Sequence, residues 1–277
     1  MYKQLEQRGM DSPPVNVGML RDMKQAREPI ACLTAYDASF AQLVDFSGTD
    51  VVLVGDSLGM VIQGLDTTVP VTVNDMVYHA RCVARGLRRA FLIVDMPFMS
   101  YTTPAQALDN SVRLMQEGGA MMVKLEGGQG QVAIVEHLAQ HDVPVCAHLG
   151  LKPQSVHKIG GFKVQGRDEQ AAHHMIDEAR ALESAGADVV LLECVPTSLG
   201  SAIRDALHVP VIGIGAGPGV DGQILVLYDV LGITQGRMPR FVQNFMTGRD
   251  SALEALRAYV HAVKDRSYPA EKHTFSA

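Results

Sequence analysis

Short aliphatic runs recur along the chain. Each is followed by a polar or glycine-rich break and then by a stretch whose apolar positions repeat with helical spacing. The runs are "IACLTAYD" (30–37), "VVLVGD" (51–56), "FLIVDMP" (91–97), "MMVKLEGG" (121–128), "VPVCAHLG" (143–150), "DVVLLECV" (188–195), "VPVIGIGAG" (209–217) and, less sharply, "ILVLYDVLGI" (224–233). Continuous hydrophobicity marks strands covered on both faces, as in parallel sheets. The stretches between them carry helix punctuation. Asn74 opens "NDMVYHARCVARGL", Thr103 and Pro104 open "TPAQALDNSVRLMQEGG", Asp168 opens "DEQAAHHMIDEARALESAGA", and Asp250 caps the amphipathic "RDSALEALRAYVHAVKDR".

Strands alternating with helices predict parallel strands joined by helical crossovers, and eight strands are the number that closes a (β/α)8 TIM barrel. An open doubly wound sheet is the alternative. Its usual fingerprint, GxGxxG after the first strand, is missing, and the glycine-rich "GIGAGPG" comes late in the chain. A single α/β domain is therefore expected over residues 15–266, C-terminal helix included. A flexible N-terminal segment (1–14) and a C-terminal tail (267–277) flank it. Two connections, "SLGMVIQGLDTTVPVT" after the second run and "LKPQSVHKIGGFKVQGR" after the fifth, are longer than such units need. Both leave the C-terminal end of a strand, where barrel enzymes build their sites. Segments 57–73 and 151–167 thus read either as surface insertions or as covers over a substrate.

Composition narrows the classes. The chain has 277 residues, 47% of them hydrophobic and 19% charged, so a sizeable core is available. The net charge is −6 and no dense Lys/Arg block occurs, which argues against a nucleic-acid partner. No apolar run approaches the roughly 18 to 20 residues that span a bilayer. The N-terminus lacks an apolar signal core and carries Glu6 and Asp11. Cys32, Cys82, Cys146 and Cys194 form no CxxC pair and read as small buried hydrophobes in a reducing compartment. A soluble cytoplasmic protein without a membrane partner is expected.

The ends of the runs carry the candidate chemistry. Asp56 ends the second, Asp95 the third, Lys124 and Glu126 the fourth, His148 the fifth and Glu193 the sixth. Parallel strands would bring these groups onto one rim, and Lys124 and Glu126, two apart, would share a face. Close carboxylates repel and bind protons unless a cation holds them. An oxygen-only donor set suits Mg²⁺ better than zinc, with Asp56 and Asp95 as direct ligands and Glu126 direct or through water. A metal-free cluster paired with Lys124 is the other reading. Glu193, between "VVLL" and "CVP", would have its pKa raised toward the range of a general base. His148 could contact substrate, hold a neighbour in place, or be structural. The "GIGAG" backbone could hold an anion.

The segments "LTAYD", "VGDSLGMV", "VKLEGG", "AHLGLKPQSV", "GGFKVQGR", "LLECVP", "VIGIGAG" and "DGQILV" together, from about residue 15 to 265, resemble the ketopantoate hydroxymethyltransferase (3-methyl-2-oxobutanoate hydroxymethyltransferase) family. The resemblance implies a (β/α)8 barrel with one Mg²⁺ per subunit and 5,10-methylenetetrahydrofolate as co-substrate. It implies a 2-oxo acid, 3-methyl-2-oxobutanoate, as acceptor and ketopantoate as product, within pantothenate and coenzyme A biosynthesis. It also implies a homo-oligomer, often a decamer. Asp56, Asp95 and Glu126 match the family's metal site, Asp56, Ser57, Asp95 and Lys124 its substrate contacts, and Glu193 its proton acceptor. Mg²⁺-dependent lyases of the phosphoenolpyruvate mutase and isocitrate lyase type are the nearest rival, but their reactive loop cysteine has no counterpart here. A non-catalytic barrel that senses an anionic metabolite is a further alternative.

Overall fold

The computed structural model describes residues 13–161, 163–236 and 238–277. The expected flexible segment 1–14 therefore lies outside the described residues, apart from Pro13 and Pro14. Eight strands, β1 (Ile30–Thr34), β2 (Val51–Val54), β3 (Phe91–Asp95), β4 (Met122–Glu126), β5 (Val145–Gly150), β6 (Val189–Glu193), β7 (Val211–Ile214) and β8 (Gly222–Leu225), follow one another around a closed barrel. Every neighbouring pair is parallel, and β8 returns to β1 with Ile30 opposite Gly222. The helices are α1 (Val17–Gln25), α2 (Ala38–Phe46), α3 (Leu58–Val61), α4 (Val73–Gly86), α5 (Pro104–Gln116), α6 (Val132–Ala139), α7 (Val156–Ile159), α8 (Glu169–Ser184), α9 (Thr197–Ala206), α10 (Leu227–Val230) and α11 (Ala252–Lys264). The (β/α)8 expectation holds.

Strand parity divides the apolar residues between two cores. One set, including Leu33, Val52, Leu92, Val123 and Val190, packs outward beneath the helix layer. The other, including Ile30, Cys32, Val51, Leu53, Phe91, Ile93, Met122, Cys146, Val189, Leu191, Ile212 and Ile224, fills the barrel interior. Helix α1 adds Leu20, which is fully buried, and Val17, Met19 and Met23 to this interior cluster. It is tied to the barrel by Lys24 Nζ–Asp221 Oδ2 at 2.8 Å and Arg21 Nη2–Asp188 Oδ1 at 2.6 Å. These partners stand just before β8 and β6, so α1 closes the N-terminal end of the barrel and leaves the other end for chemistry.

Three sequence expectations shift. Helix α4 is capped by Thr72, not Asn74. The Thr72 hydroxyl accepts the Asp75 N–H at 3.2 Å and the Asp75 carboxylate accepts the Thr72 N–H at 2.9 Å, a reciprocal box that Asn74 could not complete. Ser251, not Asp250, caps α11, accepting the Glu254 N–H at 3.3 Å. The eighth strand begins at Gly222 and ends at Leu225, and "LYDV" turns into α10. The pattern of 224–233 blurred because it fuses a strand with a helical turn.

The tail 267–277 runs back along the barrel. Tyr268 and His273 are buried, and the Thr197 N–H donates to Phe275 O at 3.0 Å. Among the described residues no helix is long and apolar enough to cross a membrane.

Candidate active site

The interior parity explains how apolar strands deliver charge. Asp95 follows Phe91 and Ile93 on the inward face of β3, and Lys124 and Glu126 follow Met122 on β4. His148 follows Cys146 on β5, and Glu193 follows Val189 and Leu191 on β6. Each strand is thus apolar at the closed end and ionisable at the open end. Register aligns the layer, with Asp95 opposite Lys124, Glu126 opposite His148 and Gly150 opposite Glu193.

Asp56 lies past the end of β2, in the turn into α3. Gly55 takes the inward position before it. A Cβ there would come within 2.7 Å of Ser57 Oγ and 3.5 Å of Asp95 Oδ2, so glycine makes room for both. Asp95 Oδ2 in turn accepts the Asp56 N–H at 3.0 Å. Ser57 Oγ lies 2.9 Å from the Tyr36 hydroxyl.

Asp56, Asp95, Lys124, Glu126, His148 and Glu193 all line one cavity of about 790 Å³ at the open end. All the predicted site residues, Ser57 included, therefore meet in one place. Lys124 Nζ stands 2.7 Å from Asp95 Oδ1, with both side chains nearly inaccessible. Burial opposes the lysine's charge, but Asp95, Glu126 and Asp56 outweigh it and hold the ammonium above its ordinary pKa. For Asp56, burial and then the Asp95 charge push the carboxyl up to about 7, against the pull of Lys124 and Gln154. Burial likewise raises Glu126, with Asp56 and Asp95 adding to the effect and Lys124 opposing it. Glu193 is pushed up to about 8, by burial first and also by Asp95, with Lys124 pulling the other way.

His148 is driven well below its ordinary pKa by burial and by the Lys124 charge, so it is neutral near pH 7. Its Nδ1 lies 3.3 Å from Lys124 Nζ, which can only donate. That fixes the proton on Nε2, which faces Glu193 Oε2 at 3.4 Å. The imidazole sits between the lysine and the carboxylate, and its Nε2 is buried without a hydrogen-bond partner among the described residues.

Four carboxylates thus share one lysine. Asp95 Oδ1, Glu126 Oε1 and His148 Nε2 are buried without a well-angled hydrogen bond to any described residue, although Lys124 Nζ stands 2.7 Å from Asp95 Oδ1. Among the described residues no three His, Cys, Asp or Glu side chains already converge as a metal cluster. Mg²⁺ does not require three, since it binds through one or two carboxylates and completes its octahedron with water and substrate oxygens. The hard oxygen donors of Asp56 and Asp95, with Glu126 beside them, fit that ion.

Sequence reasoning missed two groups. Gln154, in the first turn after β5, donates through Nε2 to Asp56 Oδ2 at 2.8 Å and to Met96 O at 2.9 Å. Its backbone N–H donates to Glu126 Oε2 at 3.1 Å, and its Oε1 accepts from the Tyr101 hydroxyl. Gln154 lies in segment 151–167, read from the sequence either as a surface insertion or as a cover, which was its only signal. The second group is a wall formed by residues after β8, with Phe241 and Phe275, which line the same cavity.

A closed parallel barrel with ionisable groups gathered at the C-terminal ends of its strands is the architecture of a TIM-barrel enzyme. Residues 14–271 match the family model described as ketopantoate hydroxymethyltransferase. The chain is 58% identical over 262 residues to the 3-methyl-2-oxobutanoate hydroxymethyltransferase of Alkalilimnicola ehrlichii, covering 95% of each. It is also 58% identical over 263 residues to that of Marinobacter nauticus, covering 95% of this chain and 99% of the relative. The chain belongs to the ketopantoate hydroxymethyltransferase family and is a transferase. Among solved structures, 2,3-dimethylmalate lyase, a PEP mutase/isocitrate lyase superfamily member, aligns with a TM-score of 0.57 at 19% identity, covering 77% of this chain and 81% of the other. Oxaloacetate acetylhydrolase in complex with oxalate aligns at 0.58 and 18%, covering 80% and 83%. At these identities the likeness is one of fold.

Proposed function

We propose that the protein transfers a hydroxymethyl group from 5,10-methylenetetrahydrofolate to 3-methyl-2-oxobutanoate in a Mg²⁺-dependent reaction, giving ketopantoate for pantothenate and coenzyme A biosynthesis. The observation that carries this reading is the pairing of a high-pKa carboxylate, Glu193, with a carboxylate-rich, lysine-bearing end of the same cavity. Family membership supplies the identity of the substrates.

Asp56 and Asp95 are the direct Mg²⁺ ligands in this reading, with Glu126 direct or through a water. When bound, the ion acts as a Lewis acid toward the keto acid and makes its C3 proton removable. The Lys124 ammonium and the Ser57 hydroxyl hold the keto acid and offset its negative charge, with Asp56 and Asp95 also lying against it. Glu193, with His148 Nε2 3.4 Å from its Oε2, takes the proton from C3, for which its raised pKa suits it. The C3 carbon then bonds to the donor's methylene carbon. The bonds from that methylene to the folate nitrogens break, and water supplies the hydroxyl. The proton held by Glu193 and the remaining proton of water go to the two folate nitrogens, so tetrahydrofolate leaves and Glu193 is ionised again.

Solvent exchange of the C3 proton of 3-methyl-2-oxobutanoate, followed by NMR with Mg²⁺ and no folate, isolates the first step. Glu193→Gln is expected to abolish exchange while retaining keto-acid binding. Exchange at the wild-type rate in that variant would remove Glu193 from the role of base. The same reading makes the enzyme cytoplasmic and homo-oligomeric. Tyr78 and Met99, 64% and 60% exposed, offer apolar surface for contacts between subunits.

A further inference from the structure

This inference rests on the function proposed above and concerns where the one-carbon donor sits. In that function the small branched keto acid belongs on the side of the cavity formed by β2 to β6, where Asp56, Asp95, Lys124 and Glu193 stand. The whole space, about 790 Å³, is of the size that takes a ligand many times larger, in the range of roughly 300 to 1,000 Å³ typical of drug-sized molecules. The remaining side is walled by the apolar Ile214, Phe241 and Phe275, with the Asp229 carboxylate and Thr234 also lining it.

That wall is built. Ile214 lies opposite Glu193 in the β6–β7 register, so it starts where the proposed base ends. The Tyr268 hydroxyl donates to Phe241 O at 2.6 Å, and the Thr197 N–H donates to Phe275 O at 3.0 Å, pinning the two aromatic residues. Gly215, at φ +63°, lies behind both. A Cβ there would come within 2.8 Å of the Phe241 ring and 3.1 Å of the Phe275 ring. This glycine of "GIGAG" serves the close approach of two aromatic rings. Two exposed basic residues, Lys163 and Arg240, line the same cavity at its margin.

We infer that the Ile214–Phe241–Phe275 wall is the subsite for the reduced folate, holding its flat ring system with the methylene toward Glu193, and that Arg240 and Lys163 meet the carboxylates of its glutamate tail. Aromatic rings and a bicyclic pterin pack face to face or edge to face, and the cations at the margin match a ligand that is flat at one end and anionic at the other. The donor thus approaches the keto acid from β7 and β8, opposite Lys124.

Two variants test the placement, Phe275→Ala for the ring and Arg240→Gln for the tail. Three quantities are read on each: C3 proton exchange without folate, KM for methylenetetrahydrofolate in the full reaction, and binding of tetrahydrofolate against 6-methyltetrahydropterin, which lacks the tail. Phe275→Ala is expected to raise the donor KM about five- to tenfold and to weaken both ligands. Arg240→Gln is expected to weaken tetrahydrofolate alone, toward the affinity of the tail-less pterin. Exchange, which does not use the donor, keeps its rate in both. Unchanged donor KM in both variants with normal exchange overturns the subsite. Loss of exchange in step with the rise in KM also overturns it, by assigning the ring to the keto-acid side. Absence of exchange and transfer in the unmodified protein instead overturns the function on which the subsite depends.

Discussion

Gln154 donates to Asp56 Oδ2 at 2.8 Å across 98 residues of sequence, joining the segment after β5 to the end of β2. The amide is fully used, since its other hydrogen goes to Met96 O at 2.9 Å and its oxygen accepts from Tyr101. One side chain therefore fixes the direction of a carboxylate proposed to hold Mg²⁺. Groups that orient ligands in this way typically cost about 10- to 100-fold in metal affinity when removed. Gln154→Ala is expected to weaken Mg²⁺ by that factor in calorimetric titration with the keto acid present. Gln154→Glu, which keeps the shape but loses the N–H donors, should do no better. A variant that melts normally and binds Mg²⁺ like the parent would leave Gln154 a purely structural residue.

The raised pKa of Glu193 links stability to pH. Its carboxyl titrates near 4.5 in the unfolded chain and at about 8 in the folded one, so between those values the folded state holds more protons than the unfolded. Folding stability attributable to this group therefore falls as pH rises through that window, by at most about 1.4 kcal/mol per pH unit. Glu193→Gln removes the titration. In the absence of metal, chemical denaturation at pH 5 and pH 8 should show the variant gaining on the parent as pH increases. An advantage that stays constant with pH would place the Glu193 pKa near its ordinary value.

Lys124 has a different dependence. It is the one lysine within the buried carboxylate set and pairs with Asp95 at 2.7 Å. Removing one partner of a buried pair typically costs about 3 to 5 kcal/mol, because the other charge is left uncompensated. Lys124→Met is expected to lose stability on that scale at neutral pH and to recover part of it as pH falls and the carboxylates take up protons. It should also lose keto-acid binding. Thermal melts across pH, read beside a substrate titration, check both. A destabilisation independent of pH would mean that packing, rather than charge, is what Lys124 contributes.

The barrel was legible because its rule is local. Apolar runs such as Val51–Val54 and Val189–Glu193 announce strands, and a charge at the end of each announces the rim. Lys124 and Glu126 could be placed on one face from their spacing alone. Gln154 could not, because nothing in "LKPQSV" says that an amide reaches back to the β2 end, a relation set by folding of the loop. The wall of Phe241 and Phe275 was equally hidden. It forms only when chain beyond β8 returns over the barrel, with Tyr268 and Thr197 pinning it by hydrogen bonds to backbone carbonyls. The misplaced caps at Asn74 and Asp250 arose from choosing between adjacent capping-type residues, where the reciprocal Thr72–Asp75 bond decided the first.

The closure between β1 and β8 offers a test of stability away from the chemistry. Tyr259, on the buried face of α11, directs its hydroxyl at two strand carbonyls, Cys32 O at 2.8 Å and Gln223 O at 2.9 Å. Those carbonyls belong to the two strands that complete the barrel, whose Cys32 and Ile224 are opposite one another. The ring packs edge-on against Phe245 at 5.5 Å between centroids, so Tyr259→Phe keeps the packing and removes only the hydroxyl. Leaving buried carbonyls without their donor costs about 1 to 3 kcal/mol. For a chain of this size each kcal/mol corresponds to roughly 2 to 4 °C in Tm. Tyr259→Phe should therefore melt a few degrees lower while retaining the parent rate of C3 proton exchange, since no cavity group is touched. An unchanged Tm would mean that the seam is held by its backbone ladder alone. A lowered exchange rate would show that the β1–β8 closure reaches the rim.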